Sequence, residues 1–506
     1  MTEGKILKQI EELNKRDDYR GIIDLVKNLD EKDQTPPVLC ELARACNNLA
    51  VLSDPDDVDR EMLLCSVEVL RRIKDDIPEN DHLYNFRFGY ALFYLDRIGE
   101  ALERFKKALI ERPDDEDTKE FIEMCLDRLT LPVFRKNFSQ RIKEGWEKFA
   151  AGEAELRRLI SEKADSDEIT GCCHELLEDT FTDPCFEVGF NGEKYDLILS
   201  PEKDKYMLYL FDVFRKHAPE SVTKHWNIFL GRQPASKLDK FELGFHGRRL
   251  APSDVTVRID QDENGDCMVT GYSETLAQVL GEDRNEAFWF FDMLLDMALG
   301  EIVNMRYVDT IDLSDKPFES GAIPLLELRD VMKERFGEKE DWDSAESYLD
   351  TVSGFEMKPR EFAEDEYPTP RLDSFVGFSC VPQFMIEYIN GEHDAVNKAD
   401  NDGVAAGFIF FPVHVFEDDE NTKRGEKILN FRDELESFIV ERAGGNVVFI
   451  GGASGIDNCY LDFLAFDIRA VLDAAVKFFS TQKIVPWAYY QSYRTDVKVL
   501  ALMRGE

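Results

Sequence analysis

Chemistry-bearing side chains are densest between Arg215 and Arg249, where Arg215, Lys216, Lys224, Arg232, Lys237, Lys240, Arg248 and Arg249 fall among His217, His225, His246 and Trp226. Guanidinium and imidazole groups beside an indole suit recognition of phosphate or carboxylate, or stacking on a nucleic-acid strand. His225, Arg232 and Arg248 form the candidate anion site of this reading. A plainer reading competes with it: in a carboxylate-rich chain the same cations pair with Asp and Glu of their own surface. No nucleophile or carboxylate at informative spacing completes a catalytic set, so no catalytic residue is assigned.

Three other patterns imitate known sites. Cys172, Cys173, His174 and Cys185 suggest zinc, but adjacent cysteines chelate a tetrahedral ion poorly, and helix-packing thiols with no metal are expected. Asp260, Asp262, Asn264 and Gly265 open like a calcium loop, yet its twelfth position is Gly271 and its flanks read as strands, so a tight hairpin is expected. Gly451, Gly452 and Gly455 follow a strand without a Gly-Lys-Ser/Thr ending or a dinucleotide fingerprint, and the next residues, YLDFLAF, read as a strand. That implies a glycine-rich strand connection and no cofactor. Asp457, Asp462, Asp467 and His393 or His414 are further groups that a fold could bring together.

The elements that must position these residues come in three blocks, as 506 residues suggest. Charge is the strongest compositional signal: 103 Asp and Glu against 62 Lys and Arg leave a net charge of −41. Such a field disfavours duplex nucleic acid and anionic lipid and attracts a basic protein partner. No apolar run is long enough for a membrane span, the start lacks a signal peptide, and ten scattered cysteines fit a reducing compartment, so a soluble cytoplasmic protein is expected. The oligomeric state is left open.

In the first block, Ile6, Ile10, Leu13, Ile22, Ile23, Val26 and Leu29 recur at helical spacing, and Thr35-Pro36-Pro37 opens a second helical pair that turns at Ser53–Asp57. The third pair, YNFRFGYALFYLDRIGEALERFKKALIERPDD, resembles a tetratricopeptide repeat (TPR): Phe88-Gly89, Ala101, Phe105, Ala108 and Pro113 fall at that family's spacing, with Leu92 where an aromatic is usual. The resemblance extends over roughly residues 1–130 and implies stacked hairpins whose groove binds a peptide, in some members by clamping a carboxylate with Lys, Arg and Asn. Candidate groove residues are Arg44, Asn47 and Asn48 in one hairpin and Phe86, Tyr90, Phe93 and Tyr94 in the next. The aromatic stripe reads equally as packing against capping helices near Asp117–Leu129 and Val133–Ser161.

Residues 131–169 read as the capping and connecting helix, ending in a charged linker after Ser161. From 170 to 358, alternating runs (FEVGF, KYDLILS, WNIFLG, KFELGFHG, DVTVRID, DCMVTGYS) predict an antiparallel sheet interrupted by helices, an α+β domain. Pro359–Pro370 reads as a linker. From 371 to 506, strands over Val404–Val415, Asn446–Ile450, Tyr460–Phe466 and Trp487–Tyr493 alternate with two helices in an order resembling the ferredoxin-like βαββαβ arrangement. The expected fold class is therefore multidomain, α plus α+β. The function expected is a non-enzymatic TPR-type interaction or scaffold protein with a basic protein partner. Two alternatives stay open: an immunity-like neutraliser of a basic toxin or effector, and an enzyme or receptor for an anionic small molecule using the 215–249 island.

Overall fold

The computed structural model describes residues 2–51, 58–245, 248–263, 265–337, 341–360, 369–418 and 422–504. The chain forms two compact units, Met1–Ser139 with Ser353–Glu506, and Gln140–Val352.

The first unit begins with α1 (Glu3–Asn14), α2 (Tyr19–Lys27), α3 (Pro36–Val51), α4 (Arg60–Arg72), α5 (His82–Tyr94), α6 (Ile98–Glu111) and α7 (Glu116–Thr130). Local chemistry sets these ends. Asp18, Asp59, Asp81 and Asp115 each accept a main-chain N–H in the first turn of the helix that follows. The turn predicted at Ser53–Asp57 lies outside the described residues. Ile6, Ile22, Val38, Ala43, Leu63, Leu70, Phe88, Ala101 and Phe105 share one buried core. Gly89 lets α5 and α6 approach closely: a Cβ there would sit 2.9 Å from the Phe105 ring. Gly89→Leu is expected to destabilise this unit by about 2–3 kcal/mol through overpacking, and an unchanged melting curve would contradict the close approach.

The sequence reading separates these helices from residues 371–506, whereas the structure joins them in one unit. Asn397 and Asn401 donate to Glu103 and Glu100 of α6, at 3.2 and 2.7 Å. Ser492 donates to the Leu129 carbonyl, and Val497 packs on the helical core. Gly99 makes room for this seam, since a Cβ there would overlap Asn397. Contacts between residues some 300 positions apart leave no periodic trace.

The second unit contains α8 (Phe138–Glu162) from Gln140 onward, then α9 (Ser166–Leu177), β1 (Cys185–Phe190), β2 (Tyr195–Ser200), α10 (Lys205–Lys216), α11 (Glu220–Thr223), β3 (Trp226–Leu230), β4 (Leu243–Phe245), β5 (Arg248–Leu250), β6 (Thr256–Gln261), β7 (Cys267–Tyr272), α12 (Glu274–Glu282), α13 (Arg284–Leu299), α14 (Glu301–Tyr307), β8 (Thr310–Leu313), β9 (Ala322–Pro324), α15 (Leu328–Phe336) and α16 (Ala345–Leu349). The single antiparallel sheet expected here is corrected. Among the described residues the strands form three separate sheets, ordered β1-β2-β3, β4-β5 and β8-β7-β6-β9, and the pairs β2–β3 and β7–β8 are parallel. Alternation reports a half-buried strand but carries no information on which strand it joins. The charged linker after Ser161 is also corrected: α9 starts inside it, with Asp165 as its cap.

After Val352 the chain returns to the first unit as β10 (Ser353–Glu356), β11 (Ser374–Ser379), α17 (Pro382–Asn390), α18 (Asp394–Asn401), β12 (Ala405–Pro412), α19 (Arg424–Ala443), β13 (Val447–Gly455), β14 (Asn458–Ala465), α20 (Ile468–Thr481), β15 (Trp487–Ser492) and β16 (Leu500–Arg504). Most of the predicted linker, residues 361–368, lies outside the described residues. The seven strands form one antiparallel sheet ordered β10-β11-β13-β14-β12-β15-β16. The interior strand β12 is buried along all eight residues. Ile409, Phe411, Leu461 and Phe463 face α19 and α20 through Phe431, Leu435, Leu472 and Phe479. The glycine-rich connection expected at Gly451–Gly455 is instead part of β13. A Cβ at Gly452 would lie 2.7 Å from the Tyr460 carbonyl, and one at Gly451 would strike the Phe378 carbonyl, so these glycines serve close strand approach.

Candidate functional site

On the helical array, side chains from three alternate helices meet at Glu41 of α3. Its carboxylate accepts from Arg87 of α5 at 2.6 Å, Arg44 at 3.0 Å and Asn14 of α1 at 3.3 Å. Asn47, about one turn beyond Arg44 on α3, is buried and donates to the Arg87 carbonyl at 2.8 Å. Burial opposes ionisation of Glu41, and the guanidinium groups of Arg87 and Arg44 outweigh it, holding the carboxyl below its ordinary value. Three polar atoms of this row, Asn14 Oδ1, Arg44 Nη2 and Asn47 Oδ1, are buried without a hydrogen-bond partner. Arg44 and Asn47 are sequence candidates that the fold brings together, with Asn48 half-buried beside them. Glu41, Asn14 and Arg87 were missed, because an acid and an arginine on separate helices carry no shared motif.

The aromatic candidates have another role. Phe86, Tyr90 and Phe93 pack around Phe121 of α7, with ring centroids 5.7, 5.5 and 5.3 Å away, and Tyr94 lies against Tyr90 at 4.8 Å. The stripe therefore contacts the chain's own following helix.

In the other unit, the basic island is largely neutralised. Arg232 meets Glu187 at 2.8 Å, Glu202 at 3.3 Å and Asp296 at 3.4 Å, and Arg248 meets Glu282 at 2.6 Å. Arg215 pairs with Asp212 and Glu346. No hydrogen bond or ion pair among the described residues links His225, Arg232 and Arg248; His225 takes part through its carbonyl, which accepts from the Tyr195 N–H. His246 lies outside the described residues. Trp226 is buried and donates to Glu153 at 2.9 Å, so its indole is not a stacking platform.

Arg232 lines a cavity of about 570 Å³ that also exposes Trp289 and Phe241 and carries Glu187, Glu202, Asp292, Asp296 and Glu301. Glu301 starts α14 after Gly300, whose φ of +84° separates it from α13. Its buried carboxylate accepts from Ser200 Oγ at 2.8 Å and from the Glu202 and Arg232 N–H groups, both at 2.9 Å. Burial pushes the Asp296 carboxyl up to about 6, opposed by the Asn304 amide, which donates to it at 2.8 Å. A carboxyl raised in the folded state binds more protons there than when unfolded, so its contribution to stability is greatest at low pH and is lost as pH rises from about 4 to about 6. Asp296→Asn is expected to flatten that part of the stability profile in pH-resolved urea unfolding; an identical slope in both proteins would contradict it.

The remaining sequence candidates are dispersed. Asp467 caps α20, His393 lies 3.9 Å from Asp496, and Asp462 is buried with Arg371, so these groups do not form one site. Cys172, Cys173 and His174 lie on α9, and Cys173 is fully buried. The β6–β7 turn closes through Asp262 and Asp266, while Asn264 lies outside the described residues. Among the described residues, no cluster of His, Cys, Asp and Glu is arranged to hold a metal ion, and no helix is long and apolar enough to cross a membrane. Compared with known proteins, the chain matches no family model, no curated protein and no solved structure.

Proposed function

We propose that this is a non-enzymatic, cytoplasmic interaction or scaffold protein whose TPR-like helical array receives a segment of a basic protein partner. The observation that carries the reading is the polar row Asn14–Glu41–Arg44–Asn47–Arg87, spread over three alternate helices, in which the Glu41 and Arg44 side chains are partly exposed and two amide oxygens and one guanidinium nitrogen are buried and unpaired. Groups of this kind recognise peptide N–H, carbonyl and carboxylate, and they bind without transforming. The close α5–α6 contact at Gly89 and Phe105 supports the repeat assignment, and the order β13-β14-β12-β15 supports a ferredoxin-like core within the larger sheet. A net charge of −41 favours a basic partner.

The test is affinity capture of the tagged full chain and its Arg44→Glu variant from the source cell's extract, at low and high salt. A stoichiometric basic protein held by the parent at low salt, and lost with salt and with the variant, is expected. Equal capture by both proteins, or retention of a small anion alone, would overturn the reading.

A further inference from the structure

The three-stranded sheet of the second unit ends at β1, which pairs with β2 on one side and, among the described residues, has no strand on the other. No described residue makes a main-chain hydrogen bond along the outer edge of β1. Exposed edges are usually blunted by proline, lysine, a bulge or a covering segment. The strand CFEVGF has none of the first three: its pairing with β2 runs without a register shift and it ends on the exposed Phe190.

Two cavities reach this edge from opposite faces. Phe186 and Val188 stand opposite the buried Leu199 and Leu197, and they line a cleft of about 580 Å³ with Ile160 of α8, Ala164 between the helices and Ile169 of α9, where Lys163, Ser166, Thr170 and Glu187 supply polar groups. Glu187 stands opposite Ile198 and faces the acidic cavity of Arg232 and Trp289. That second cavity carries five carboxylates against Arg232 and Lys203. Because side chains of an extended segment alternate between faces, a strand laid beside β1 would send every second residue into the cleft floored by Phe186 and Val188 and the others to the acidic cavity.

We propose that β1 accepts an extended segment of a partner protein as an added strand, with apolar side chains entering the cleft between β1 and α9 and Lys or Arg side chains meeting Glu187 and the acidic cavity. The surface is distinct from the polar row on the helical array and stands whether or not that row binds. Six strand residues define a recognition length of about 20 Å.

The test uses the full chain and labelled ten-residue peptides, read by fluorescence anisotropy and by amide exchange at residues 185–190. A peptide alternating Val and Lys is expected to bind at least about ten-fold tighter than the same residues in two blocks, or than an alternating Val and Glu peptide. It should also slow exchange in β1. Of two versions N-methylated on alternate amides, one should lose binding and the other keep it, because only one set faces the protein strand. Glu187→Lys should weaken binding about ten-fold. Equal binding of the block peptide, or equal binding of both methylated peptides, would reduce the effect to net charge and overturn the proposal. Slow exchange in β1 that depends on protein concentration and ignores peptide would assign the edge to a second copy and also overturn it.

Discussion

Asp462→Ala is expected to destabilise the seven-stranded unit by about 3–5 kcal/mol, the cost of leaving a buried guanidinium unpaired. Asp462 is fully buried on β14 and accepts from both terminal nitrogens of Arg371, with Nη2 at 2.7 Å. Arg371 is itself 1% exposed, and its guanidinium is surrounded by the rings of Phe408, Tyr460 and Tyr493 at 5.5, 5.6 and 5.8 Å. Its backbone is strained as well, at a φ of +72° rare for a side chain of that size. The strained segment is held at both ends. The Arg371 N–H donates to the Tyr460 hydroxyl at 2.7 Å, the Tyr460 hydroxyl donates to Asp373, and Asp373 accepts from the Asp457 and Asn458 N–H groups at 3.0 and 3.1 Å. Removing one charge therefore loosens the return of the chain into the sheet as well as breaking a pair. Joint replacement, Arg371→Met with Asp462→Leu, should recover much of the loss, since no charge is then stranded. Urea unfolding checks both, and a single-variant loss under about 1 kcal/mol would contradict the account.

Glu301→Ala should cost the other unit about 3 kcal/mol, because the buried Ser200 Oγ and the part-buried N–H groups of Glu202 and Arg232 lose their acceptor together. Glu301→Gln keeps an amide oxygen in place and should cost clearly less. The carboxylate also sets the main-chain positions of Glu202 and Arg232, so the alanine variant should disturb the acidic cavity beside β1. Chemical unfolding of the two variants separates the effects; equal losses would contradict this, because a side chain of the same volume with one acceptor oxygen would then recover nothing.

Much of the helical array was legible because its causes are local. Proline at the start of α3, aspartate caps and apolar residues at helical spacing act within a few residues of one another, and the Phe88-Gly89 and Phe105 spacing follows from two helices in contact. The α19 and α20 faces were readable for the same reason. What the sequence hid depends on distant pairs. Arg371 and Asp462 lie 91 residues apart, and Glu301 and Ser200 lie 101 apart, so neither pairing has a spacing to recognise. Arg232 looked available because its three carboxylates come from β1, the residues after β2 and α13. Gly451 and Gly452 looked like a turn because glycine marks both turns and close strand approach, and only the neighbouring β11 and β14 decide between them.

The central claim, that the polar row around Glu41 receives a partner segment, is tested most directly by amide hydrogen exchange of the full chain alone and in complex with its captured partner. Slower exchange in the complex over Pro36–Val51 and His82–Tyr94 is the result predicted. Unchanged exchange over both helices in a complex known to be intact would contradict it.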